Sequence, residues 1–120
     1  MQVFREFSFE AAHSLPAVPD GHKCARLHGH SYQVEIHITG PLDHEKGWVT
    51  DFADITSAFE PLRRQLDHHC LNDVPGLANP TCEYLACWIW DHLSAQLDLV
   101  QVTVREHAGA GCVYCGELPP

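Results

Sequence analysis

The sequence predicts an α+β fold, a four-stranded antiparallel sheet with two helices packed on one face. Three stretches alternate apolar and polar residues with a strand's period of two, and two stretches repeat apolar residues at helical spacing. Their order is strand, strand, helix, helix, then a closing pair of strands, which places hairpin-like neighbours at each end. A chain of 120 residues with 45% hydrophobic content fits one domain, residues 1–120, with a substantial core. No internal repeat or low-complexity tract is visible.

The first strand covers residues 2–13. Val3, Phe7, Phe9, Ala11 and His13 share one parity, with Arg5 the exception, and Glu6, Ser8 and Glu10 take the other. His13 thus ends the apolar face, where an unpaired imidazole is costly. Residues 14–27 hold Pro16, Pro19 and Gly21 and read as a loop. Residues 30–39 alternate again, with Tyr32, Val34, Ile36 and Ile38 on one side and a solvated His37 on the other. Gly40-Pro41 and Gly47 punctuate the next connection. Thr50-Asp51 are candidate caps for a helix on which Phe52, Ile55, Phe59, Leu62 and Leu66 recur. Pro61 falls inside that pattern and predicts a break or kink. After a loop over residues 72–79, Asn79-Pro80 reads as an N-cap followed by proline at the first helical position. Leu85, Trp88, Ile89 and Leu93 mark one face of that second helix. Residues 99–107 alternate with Val100, Val102 and Val104 on one side, and Glu106 continues their parity. A short last strand over residues 112–115 follows the turn at Gly109 and Gly111.

The chemistry gathers around Cys24-Ala25-Arg26-Leu27-His28-Gly29-His30. In an extended chain a His-x-His pair puts both rings on one face, and Gly29 leaves the backbone free to approach a bound ion or ligand. Two such imidazoles suit zinc, and His13 is the candidate third ligand, brought over by the adjacent strand. Three imidazoles leave one zinc position open, the mark of a catalytic site. Cys24 is open to three readings: a fourth ligand, a base or a nucleophile. Asp67-His68 has the composition of an orienting carboxylate beside a general acid or base. The competing reading is a helix C-terminus that favours histidine, and composition does not separate His68 from His69. Glu106 on a valine face is a candidate buried carboxylate, for which a ligand with two N–H donors is a suitable partner. Lys23 and Arg26 flank Cys24 and suit phosphate oxygens.

Ten histidines in this length raise metal or proton chemistry, and a net charge of -9 argues against general nucleic-acid binding. Charges at Arg5, Glu6 and Glu10 exclude a signal peptide from the N-terminal stretch, and no segment approaches membrane-spanning length. Six cysteines form a disulfide framework only in a secreted context. They are therefore read as mostly reduced, and the protein as cytoplasmic. Cys112-x-x-Cys115 lacks a second pair and is expected to carry no chemistry.

Phe9-Glu10-Ala11-Ala12-His13, Cys24-x-x-x-His28-Gly29-His30, Leu66-Asp67-His68-His69 with Leu71-Asn72, Asn79-Pro80-Thr81 with Glu83, and Glu106 form an ordered set. In this set the chain resembles the 6-pyruvoyltetrahydropterin synthase family along nearly its whole length. The three residues between Cys24 and His28 match the family's queuosine-pathway branch. The resemblance implies a tunnelling fold whose subunits join as trimers, commonly stacked as a homo-oligomeric hexamer with active sites between subunits. It implies Zn2+ on His13, His28 and His30, and proton transfer by Cys24 with Asp67 and His68. It implies a pterin ring held by Glu106, with Thr81 nearby as a weaker candidate. The implied substrate is 7,8-dihydroneopterin triphosphate; the implied products are 6-carboxy-5,6,7,8-tetrahydropterin, acetaldehyde and triphosphate. The alternatives are formation of 6-pyruvoyltetrahydropterin and a non-catalytic zinc or pterin-binding module.

Overall fold

The computed structural model describes residues 1–118. Its elements run β1 (Gln2–His13), β2 (His28–Thr39), α1 (Phe52–Leu66), β3 (His69–Cys70), α2 (Cys82–Leu93), β4 (Leu99–His107) and β5 (Ala110–Tyr114). Among the described residues the strands form one mixed sheet in the order β3-β1-β2-β4-β5. The long strands are antiparallel, as the alternation predicts. The added β3 corrects the expected four-stranded antiparallel sheet: it pairs parallel with Ala11 and Ala12 of β1. Two residues cannot display an alternation, so nothing local marks them. Long-range bonds place them instead. Asp67 Oδ1 accepts the Glu10 N–H at 3.0 Å, and the His68 N–H donates to the Glu10 carbonyl at 2.6 Å.

Parity decides which face the helices cover. Phe9, Tyr32, Val34, Ile36, Val102 and Val104 are buried on one face, against Ile55, Phe59, Leu62 and Leu66 of α1 and Leu85, Ile89 and Leu93 of α2. Each such side chain contributes about 1.5–3 kcal/mol on burial, against about 1 kcal/mol for a helix cap. The apolar stripes therefore hold the helices in place, and the caps define their ends. On the opposite face His37 is half-buried rather than solvated. It stacks on Phe4 with ring centroids 4.9 Å apart, and its Nε2 lies 3.4 Å from Glu35 Oε1. The central position of β2 explains this, because neighbouring strands shield even its polar side.

The Asp51 carboxylate caps α1 by accepting the Ala53 N–H. For α2 the expected cap moves two residues onward. Thr81, not Asn79, is the N-cap, its hydroxyl accepting the Tyr84 N–H, and Pro80 precedes the helix. Pro80 keeps its carbonyl free for another partner. No helix among the described residues is long and apolar enough to cross a membrane.

Pro61 does not break α1, which runs from Phe52 to Leu66. Its missing N–H leaves the Ser57 carbonyl without a helical donor, but both residues are exposed, so water can replace it. The buried side chains on the far side keep the two halves in line. Pro61→Ala restores that donor and should stabilise the protein by about 2 kcal/mol. That figure sets about 3 kcal/mol of helix propensity against about 1 kcal/mol of added freedom in the unfolded chain. Urea unfolding measures it; an unchanged midpoint would mean that the ring's packing offsets its cost.

Candidate functional site

The register of β1 on β2 sets His13 opposite His28 and Ala11 opposite His30. All three histidines lie on the helix-covered face, at the end of the sheet beneath the start of α2. Ring centroids are 4.6 Å apart for His13 and His28, 5.1 Å for His13 and His30, and 5.0 Å for His28 and His30. One ring nitrogen from each lies within 4.8 Å of the others.

Hydrogen bonds fix which nitrogens converge. His13 Nδ1–H donates to the Pro80 carbonyl at 2.7 Å, with the Tyr32 hydroxyl 3.2 Å away. His28 Nδ1–H donates to the Arg26 carbonyl at 2.7 Å. With both Nδ1 atoms protonated, the two Nε2 atoms present lone pairs to each other across 3.1 Å. His30 Nε2 is buried and has no hydrogen-bond partner. Two unprotonated nitrogens with a third ring beside them, all within 4.8 Å, fit a divalent cation, and backbone carbonyls behind metal-binding imidazoles are the usual orienting groups. Burial holds the His30 pKa below its ordinary value; Glu106 opposes that shift, and the other two rings reinforce it. The neutral ring is the form that binds metal. The chain leaving His13 is clamped as well: Asn72 accepts the Ser14 N–H at 2.9 Å and donates to the Ser14 carbonyl at 2.8 Å.

Cys24, His28, His30 and Glu106 share one cavity of about 440 Å³ with Lys23 and His107. Glu106 Oε2 stands 3.7 Å from His30 Nε2. Thr81 follows Pro80 immediately, but its hydroxyl is engaged as the α2 cap. Sequence reading did not single out His107. It sits one residue past Glu106, and a bulge at residues 105–107 carries it to the cavity.

Asp67 and His68 do not reach that cavity. His68 lines a second one of about 510 Å³, with Glu10, Gly29, Ser31 and His69. Gly29 therefore opens space on that side rather than toward an ion, because strand alternation turns it away from His28 and His30. Asp67 Oδ1 is 3.0 Å from His68 Nδ1. His68 adopts φ 58°, a left-handed conformation that costs a non-glycine residue about 1–2 kcal/mol, and its side chain is 78% exposed. The pair is thus an oriented imidazole facing outward. Geometry separates what composition did not: His68 pairs with the Asp67 carboxylate, whereas His69 bonds only the Asp67 carbonyl.

The family model described as 6-pyruvoyl tetrahydropterin synthase matches residues 2–117. Over 96 residues the chain is 43% identical to a 6-carboxy-5,6,7,8-tetrahydropterin synthase of Synechocystis sp., covering 76% of this chain and 73% of the relative. It is 35% identical to the 6-pyruvoyl tetrahydrobiopterin synthase of Drosophila melanogaster, covering 96% and 79% of the two chains. In three dimensions it is similar to the 6-pyruvoyl tetrahydropterin synthase of Caenorhabditis elegans, with a TM-score of 0.88, 25% identity, and coverage of 98% and 96%.

The Asp67 contacts have a signature in solution. The Glu10 N–H is the main cause that holds the Asp67 carboxyl below its ordinary pKa; burial opposes it, and His68 and Arg63 add to it. A carboxylate depressed by folding contributes stability that is full above its unfolded pKa and is lost as pH falls through the folded one. Below pH 3.8, the reference value for this group, wild-type urea midpoints should therefore fall more steeply than those of Asp67→Asn. Parallel curves would show that the Glu10 bond contributes nothing to stability.

Proposed function

This chain belongs to the 6-pyruvoyl tetrahydropterin synthase family, and from that premise we propose that it is a zinc-dependent carbon–oxygen lyase. Its substrate is 7,8-dihydroneopterin triphosphate. With one water consumed in the side-chain cleavage, it releases 6-carboxy-5,6,7,8-tetrahydropterin, acetaldehyde and triphosphate, as a step toward queuosine and related 7-deazaguanines. The observation that carries this reading is the shared cavity in which Cys24 and Glu106 stand beside His28 and His30. A pure binding module needs no thiol there.

His13, His28 and His30 would hold the zinc, which when bound supplies Lewis-acid polarisation of the substrate's side-chain oxygens. Glu106 accepts N–H groups of the pterin ring, with Thr81 as a second, weaker contact. Lys23 lines the same cavity and offers an ammonium to phosphate oxygens. The Cys24 thiol takes and returns protons at the substrate's side-chain carbons during triphosphate loss and side-chain cleavage. Asp67 holds the His68 imidazole through Nδ1 and leaves Nε2 for proton transfer. Because His68 faces away from the Cys24 cavity of its own chain, the relay is completed in a site of a neighbouring subunit. The working form is thus a homo-oligomer built from trimers. Cytoplasmic residence suits a mechanism that needs a free thiol.

The sister reaction, formation of 6-pyruvoyltetrahydropterin, is the second reading. It is favoured by the similarity to the Drosophila enzyme over 96% of this chain. The three-residue spacer between Cys24 and His28 favours the carboxy product.

Purified protein given 7,8-dihydroneopterin triphosphate should form 6-carboxytetrahydropterin and acetaldehyde. Accumulation of 6-pyruvoyltetrahydropterin alone would assign it to the sister reaction. Cys24→Ala should lower kcat about 100-fold or more while zinc content is retained, whereas the His28→Ala, His30→Ala double variant should lose the zinc. Full turnover by Cys24→Ala would remove the thiol from the mechanism.

A further inference from the structure

We propose that His22 is a positioning residue: its imidazole holds the backbone of Cys24, and with it the thiol, in place at the cavity. The inference deepens the reaction proposed above and rests on the proton-carrying role given there to Cys24. His22 acts from outside, since the cavity wall takes Lys23 and Cys24 from this loop.

Cys24 lies between β1 and β2 in a single 3-10 turn over Lys23–Ala25. None of that turn's residues is buried, so apolar packing does not fix it and hydrogen bonds must. Two of them grip Cys24 itself. Its N–H donates to His22 Nδ1 at 3.0 Å, and its carbonyl accepts the Leu15 N–H at 2.9 Å. The peptide groups on both sides of the thiol-bearing carbon are thus held, one by a ring and one by the chain that leaves His13. The Leu15 side is firm, because Asn72 clamps neighbouring Ser14 at both its N–H and its carbonyl. The His22 side depends on one imidazole.

The loop prepares that imidazole for the task. The His22 N–H donates to the Pro19 carbonyl at 3.0 Å, closing a β-turn whose third residue, Gly21, has φ 81°. A left-handed third residue is what glycine supplies in such turns. His22 then has the extended backbone of an N-cap, φ -68° and ψ 138°, and its carbonyl accepts the Ala25 N–H at 3.0 Å. Serine, threonine, asparagine and aspartate are the usual caps. Histidine differs from them in one respect: Nδ1 accepts only while it is unprotonated. Imidazoles ordinarily change charge between about pH 5 and pH 8. The turn is therefore held while the ring is neutral and is released when the ring takes a proton.

A cap is worth about a factor of five in the population of the turn it closes. That is small for the fold, since the turn adds nothing to the core. It matters at the thiol, because proton transfer requires a reach of about 2.6–3.2 Å between heavy atoms.

Zinc-loaded, full-length wild type and its His22→Ala, His22→Asn and His22→Ser variants test this. Solvent exchange of the Cys24 amide hydrogen, followed by NMR at about pH 7.5, should quicken about fivefold in His22→Ala and return to the wild-type rate in His22→Asn and His22→Ser, which restore an acceptor. Turnover of 7,8-dihydroneopterin triphosphate should follow the amide. His22→Ala should lower kcat about fivefold with KM and zinc content unchanged, and the two capping variants should recover it. The ratio of wild-type kcat to that of His22→Asn should fall toward the His22→Ala level as pH drops to about 5. Asp20, Lys23, Cys24 and Arg26 of the loop, His28 of β2, and Glu106 and His107 of β4 also face this region. All are common to both proteins, so the ratio isolates His22. Wild-type exchange and kcat in His22→Ala, a His22→Asn variant no better than His22→Ala, or a ratio independent of pH would each overturn the proposal. Faster amide exchange with kcat unchanged would overturn it too, by showing a cap that positions nothing. Absence of turnover by wild type, with the amide results as expected, would instead count against the proposed reaction and leave His22's hold on Cys24 standing.

Discussion

Two unprotonated ring nitrogens 3.1 Å apart repel unless a cation lies between them, and the pairing of β1 with β2 forces that approach on His13 and His28. The strands are in register from Gln2 to His13, so the approach is fixed by the whole ladder rather than by the rings. Sliding that register by one residue would send both imidazoles to opposite faces of the sheet. The Pro80 carbonyl adds a second constraint from above. It is available because Thr81, one residue on, takes the cap position of α2. Helix start, strand register and ring tautomer are therefore parts of one arrangement. A change in any of them would alter which nitrogens point at the shared centre.

Much of this arrangement is legible in the sequence, and the reason is periodicity. His13 at the end of an alternating run, and His28 and His30 at the start of another, announce a shared face once the two strands pair. Glu106 is legible in the same way, as a carboxylate in the parity of three valines. What is illegible depends on contacts between distant segments. The two-residue β3 exists because Asp67 and His68 bind the backbone of Glu10, a relation that no local pattern encodes. The half-burial of His37 follows from strand order, which alternation alone does not give. Pro61 misleads for the opposite reason: a local rule of helix breaking yields to five buried side chains on the far side of the same helix.

The sheet also divides the chemistry of one chain between its two faces. Side chains of alternate residues leave opposite sides of a strand, so His28 and His30 look toward the helices and Gly29 looks away. The first face gathers imidazoles, a thiol and a carboxylate in one cavity. The second carries His68, oriented by Asp67 and held in a left-handed backbone that is uncommon for its residue type. His30 borders both cavities. His68 lines only the second of these cavities, and Cys24 and Glu106 line only the first. The relay proposed above would therefore need the two sets to come from different chains. A backbone held by Glu10 on one side and a ring held by Asp67 on the other leave a mostly exposed side chain with little freedom.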